Sequence, residues 1–178
     1  MENKKRYLII GICAIIGAII GATSAWYTWT STNTDVTVTI GGVTVTYEAG
    51  DDITDVSLRP VSTKEVGVTN NYAIKKDITV SSNKTTYFNL YLNAELFPAG
   101  LKDASLKWEL YEGSTLLNSG NFANTVQGDT ITLLKNAEIN SITRSLSLYI
   151  WIDGNMANPS SMQNQNYKFV LNAGATDK

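Results

Sequence analysis

The chain has 178 residues, 43% hydrophobic and 17% charged, with 14 basic and 16 acidic side chains and no histidine. This composition suits one globular domain plus a short accessory segment, and its mildly acidic balance gives nucleic acid no source of attraction as a partner. The missing imidazole removes serine–histidine pairs, HExxH zinc sites and most catalytic metal ligand sets.

Residues 1–25 open with Lys4, Lys5 and Arg6, continue through an apolar centre from Leu8 to Ile20, and end in small residues. These are the three zones of a secretory signal. Thr23 and Ala25 stand at the minus-three and minus-one positions of a cut before Trp26, with Ala22 and Ser24 as the alternative pair. A retained signal anchor is the rival reading. Leu8 to Ala25 would reach about 27 Å as a helix, against a hydrocarbon core of about 30 Å, and Gly17 and Gly21 form a GxxxG spacing. In both cases the basic residues stay inside, so the body is secreted or held at the extracellular surface, membrane-anchored if the leader is retained. Cleavage would leave eleven bases against fifteen acids. The only cysteine, Cys13, lies in the apolar run, so the body has no disulfide framework and no thiolate ligand.

Residues 26–34 form either an N-terminal strand or a linker. The next stretch, "TDVTVTIGGVTVTYE", alternates valine and threonine around Gly41-Gly42. It predicts a hairpin pairing Ile40 with Val43, Val38 with Val45 and Val36 with Tyr47. Asp51, Asp52 and Asp55 follow, an oxygen-ligand candidate for calcium or else an acidic turn. Period-two alternation then puts Phe88, Leu90, Leu92, Ala94 and Leu96 on one face, and does the same for Leu106, Trp108 and Leu110. Leu146, Leu148, Ile150 and Ile152 share a third face, and Tyr167, Phe169 and Leu171 a fourth. Shorter strands are predicted at "EVGV", "KDITV" and "DTITLL", a helical turn or two in "LLKNAEINSI", and a long polar loop in "NMANPSSMQNQN". Eight to ten short strands separated by turns indicate an all-β antiparallel β-sandwich over residues 35–178, preceded by an N-terminal hydrophobic helix.

Carboxylates remain as possible catalytic groups, yet no spacing selects a pair, and the chain reads as a non-enzyme without a cofactor. Tyr87, Tyr91, Tyr111, Tyr149 and Trp151 fall opposite the apolar faces of their strands. They form either cross-strand ladders or a face that binds a glycan or a protein.

The leader end "IIGATSA", the aromatic and threonine-rich "WYTWTSTNT" after it, and the closing strands "LSLYIWIDGN" and "NYKFVLNAG" resemble the TasA/camelysin family of exported bacterial biofilm-matrix and surface proteins. The resemblance implies a jelly-roll-like sandwich, processing by a dedicated signal peptidase, and fibres in which the released N-terminal strand is donated to the next subunit. Donation would satisfy a neighbour's open sheet edge through backbone hydrogen bonds. Trp26, Tyr27 and Trp29 are the strand-donation candidates. The expected partners are copies of the same chain or other matrix and surface proteins, with the membrane engaged through the N-terminal helix before or without cleavage. The alternative function is a membrane-anchored surface domain that binds a glycan or protein through its aromatic sheet face.

Overall fold

A computed structural model describes residues 27–30, 36–40, 43–54, 56–156, 162 and 165–176. The leader, the cleavage positions Thr23, Ala25 and Trp26, the Gly41-Gly42 turn, Asp55 and most of the late polar loop lie outside the described residues.

Eleven strands are present among the described residues: β1 (Tyr27–Thr30), β2 (Val36–Ile40), β3 (Val43–Glu48), β4 (Pro60–Val61), β5 (Ile74–Ser82), β6 (Thr85–Leu96), β7 (Leu106–Glu112), β8 (Thr115–Asn121), β9 (Thr130–Asn140), β10 (Thr143–Asp153) and β11 (Lys168–Thr176). They build two sheets. Sheet A has the order β1-β11-β6-β9, and sheet B has the order β2-β3-β5-β10-β7-β8, with β4 joined in parallel to β10. The other pairings are antiparallel. Residues of both sheets belong to one continuous core. The all-β sandwich expected from alternation is therefore the observed architecture.

Threonine–valine alternation fixes the first hairpin in the register expected from sequence, Val36 opposite Tyr47 and Ile40 opposite Val43. Val45 and Tyr47 are buried on one face, and Thr37 and Thr46 meet by their hydroxyls at 3.1 Å on the other. A one-residue slip would exchange the two faces. Buried faces at Phe88–Ala94, Leu106–Leu110, Leu146–Ile152 and Phe169–Leu171 follow the same rule. Leu96 departs from it and is 42% exposed. The register between β11 and β6 shifts at Lys168/Phe169, so the last residues of β6 no longer follow the core-facing parity.

Two expectations are corrected. "EVGV" is not a strand but part of the helix α1 (Lys64–Thr69). Thr63 caps it by accepting from the Val66 N–H, and Gly67 lets it approach the sheet: a Cβ there would stand 2.6 Å from Ala73 Cβ. These contacts outweigh the strand preference of Val66 and Val68. "LLKNAEINSI" is not helical; most of it lies in β9, which pairs with β6 as far as Asn140. Two register shifts interrupt this pairing, and Asn136 sits at φ 50°. The shifts break period-two patterning and give the sequence its helix-like spacing. Among the described residues no helix is long and apolar enough to cross a membrane.

Candidate functional site

The first candidate is the edge of sheet A. β1 pairs with β11 through Tyr27↔Ala175, Thr28↔Gly174, Trp29↔Ala173 and Thr30↔Asn172. Tyr27 and Trp29 are thus register partners of two alanines that belong to the core. Further along β11, Ile53 and Phe169 exchange backbone hydrogen bonds of 3.0 and 3.1 Å. The outer edge of β11 is thereby covered by two short pieces, β1 and Ile53. Asn172, beside Thr30, is 5% exposed, and its carboxamide oxygen has no hydrogen-bond partner among the described residues. Among the described residues, β1 lies at the end of its sheet with β11 as its one strand partner. Its departure would open four residues of backbone donors and acceptors on β11, a template for another strand.

The second candidate is the aromatic set, which the fold divides. Tyr87 and Tyr91 lie on β6 of sheet A, with the Tyr87 hydroxyl donating to Glu138 at 3.3 Å. Tyr111, Tyr149 and Trp151 lie on the outer face of sheet B, on β7 and β10, where α1 packs. Trp151 is 7% exposed, in a small cluster with Val61 and Ala73 that is separate from the main core.

These three rings surround one ammonium. Lys64 Nζ stands 4.7 Å from the Tyr111 ring centre, 5.6 Å from that of Tyr149 and 5.9 Å from that of Trp151. It donates to the Tyr111 hydroxyl at 3.0 Å and pairs with Glu109 at 2.9 Å and Glu65 at 3.2 Å. Loss of solvent pulls the ammonium's pKa down, but the hydrogen bonds of Tyr111, Glu109 and Glu65 outweigh it and hold Lys64 above the ordinary lysine value. The contact spans 47 positions between Lys64 and Tyr111, beyond the reach of local sequence patterns.

The acidic turn is tied down by lysines. Asp52 pairs with Lys168 at 3.2 Å, and Lys168 also holds Glu95 at 2.8 Å. Lys76 donates to the Asp51 carbonyl, and burial lowers its pKa. Among the described residues no three potential metal-ligating side chains converge. Other carboxyls are held ionised by local partners: Glu112 by the two-pronged contact of Arg144 at 2.8 and 2.6 Å, Asp153 by Lys107 at 2.6 Å, and Asp77 by Ser147 and then Lys75.

No protein-family model matches the chain, and no curated protein matches it. Among solved structures, the secreted serine protease VesC from Vibrio cholerae aligns with 78% of this chain at 6% identity and a TM-score of 0.29; the chain spans 21% of that protein. The module CpGH89CBM32-5 from Clostridium perfringens, solved with GalNAc-beta-1,3-galactose, aligns with 77% of this chain and 96% of its own length, at 12% identity and a TM-score of 0.26. Likeness at this level bears on neither fold nor function.

Proposed function

We propose that this chain is an exported, non-catalytic structural subunit of a surface or extracellular matrix, a jelly-roll-like sandwich that assembles by exchange of its N-terminal strand. The observation that carries the reading is β1 itself, a four-residue strand at the sheet edge, next to the expected cleavage point and, among the described residues, paired only with β11. A second copy's β1 offers β11 the same backbone bonds, so exchange in trans costs little beyond association. Five positions separate β1 from β2 in the sequence, and so short a separation holds β1 at an effective concentration of roughly millimolar. Self-pairing therefore dominates in dilute solution, and exchange is favoured where subunits are crowded at a surface.

The non-catalytic part of the reading rests on chemistry. The chain has no histidine, and the carboxyls with altered acidity named above are held ionised, the opposite of what a proton-donating carboxyl needs. The alternative, one aromatic ligand face formed by all five residues, has less support, because its members lie on two different sheets.

Protein beginning at Trp26 and protein beginning at Asp35 separate these readings. The longer form should assemble into oligomers or filaments with rising concentration, by light scattering and electron microscopy, and the shorter should stay monomeric. Equal behaviour of the two would remove strand exchange.

A further inference from the structure

The Lys64 site has a built half and a lightly mounted half. Tyr111 and Glu109 on β7, with Tyr149 and Trp151 on the adjacent β10, belong to the interior of sheet B. They also fix one another. The Tyr111 hydroxyl donates to Glu109 at 2.8 Å, and its ring meets Tyr149 edge-on at 5.8 Å and 88°. Three aromatic rings and a carboxylate around one point make a receptor for a cation, since ring faces and carboxylate both carry negative potential.

The occupant comes from elsewhere. Lys64 is carried by α1, a helix of six residues whose apolar contacts lie in the satellite cluster rather than the main core, and whose Val66 is 43% exposed. An open cleft of about 570 Å³ is lined by Val68 of the helix and by Asn71 just past its end. Segments with so little buried contact open at a small fraction of the global unfolding free energy. When α1 lifts, Lys64 and Glu65 leave together, and Glu109 stays on the sheet beside the rings as the carboxylate that draws a basic group toward them.

We infer that Tyr111, Tyr149, Trp151 and Glu109 form a binding site for alkylammonium groups, filled in cis by Lys64, and that a lysine side chain presented by a partner protein takes its place and lifts α1 from sheet B. The resident side chain identifies the ligand chemistry: a four-carbon stem ending in an ammonium. This inference is independent of strand exchange, because it concerns the other sheet.

The test uses the full chain and n-butylammonium, which reproduces the lysine stem and head. In the Lys64→Ala variant, butylammonium should raise the melting temperature saturably, half-maximally at about millimolar concentration, since single cation–π contacts and partly exposed ion pairs are weak. The rise should be about 3 °C at ten times that concentration. Butanol and sodium chloride at equal concentration should have no saturable effect, and adding Glu109→Gln should weaken butylammonium about tenfold. In the unmodified chain, butylammonium should raise deuterium uptake in α1 about threefold by competing with Lys64, and sodium chloride should not. No saturable response in Lys64→Ala, or an equal one to butanol, overturns the site. A saturable response there with unchanged α1 uptake in the unmodified chain overturns displacement. If Lys64→Ala does not fold, the uptake experiment decides both.

Discussion

The two edges of sheet A end in opposite ways. β9 is an eleven-residue strand carrying Lys135 and Glu138, and its register against β6 shifts twice. Lys135 and Asn136 stand against Asn89 alone, and the Asn89 carboxamide accepts the Asn136 N–H at 2.8 Å. Asn118 of β8 then closes the side of the sandwich by donating to the Leu133 carbonyl at 2.9 Å. β1 has four residues, no charge and an unshifted register. Bulges and charges prevent a strand from being a template; β1 has neither, and its shortness alone limits what its edge offers. One edge is finished by a bulge and charges, and the other is the one the proposed function would exchange.

Removing the bulge's support should have the largest effect. Asn89 is 3% exposed, and Asn89→Ala leaves the Asn136 N–H without its acceptor. The expected loss is about 2 kcal/mol, a fall in melting temperature of about 4–8 °C by calorimetry. Amide exchange should quicken along β9 but not at Asn172–Ala175, where β1 pairs. Asn89→Asp keeps an acceptor and should recover part of the loss. Equal loosening of both edges would show that they are not independent.

Acid should separate the edges more gently. Arg144 of β10 binds Glu112 and also donates to the Glu138 carbonyl of β9 at 3.3 Å, tying sheet B to the finished edge. The hydrogen bond from Arg144 lowers the Glu112 pKa from its ordinary 4.5. A lowered folded pKa stabilises the fold above the ordinary value, and this contribution is lost as pH falls through the lowered one. Because the Glu112 side chain is 37% exposed, solvent screening limits the effect to about 1 kcal/mol. Protection factors near Glu138 and Arg144 should therefore fall as pH drops below 4.5, while those of β1, which has no carboxyl, should not change. Glu112→Gln should produce the same pattern at neutral pH.

The sequence made the strands legible because burial on one face of a sheet writes itself as period two, from Val36–Tyr47 in the first hairpin to Leu146–Ile152 in β10. It hid what depends on distant partners. α1 owes its place to Gly67 lying against Ala73 and Val61, and neither contact shows in "EVGV". The aromatic residues could be assigned to outer faces, but which of them meet depends on β7 lying beside β10, a pairing no local pattern encodes. Lys64 gave no signal at all, being one lysine at the first position of a short helix. For β1, alternation could suggest a strand, while its partner β11 lies more than 140 residues away.

Asn136 carries the smallest predicted effect and marks most clearly what a finished edge costs. Its φ of 50° places it in the left-handed region, where an L side chain crowds the backbone and asparagine is tolerated better than most. The hydrogen bond to Asn89 comes from the Asn136 backbone, so glycine would keep it while removing the crowding. Asn136→Gly should raise stability by about 0.5 kcal/mol, or about 1–2 °C in melting temperature, and leave assembly unaltered. Destabilisation instead would mean that the Asn136 side chain itself holds the bulge. A change in assembly would mean that β9, and not only β1, takes part in contacts between subunits.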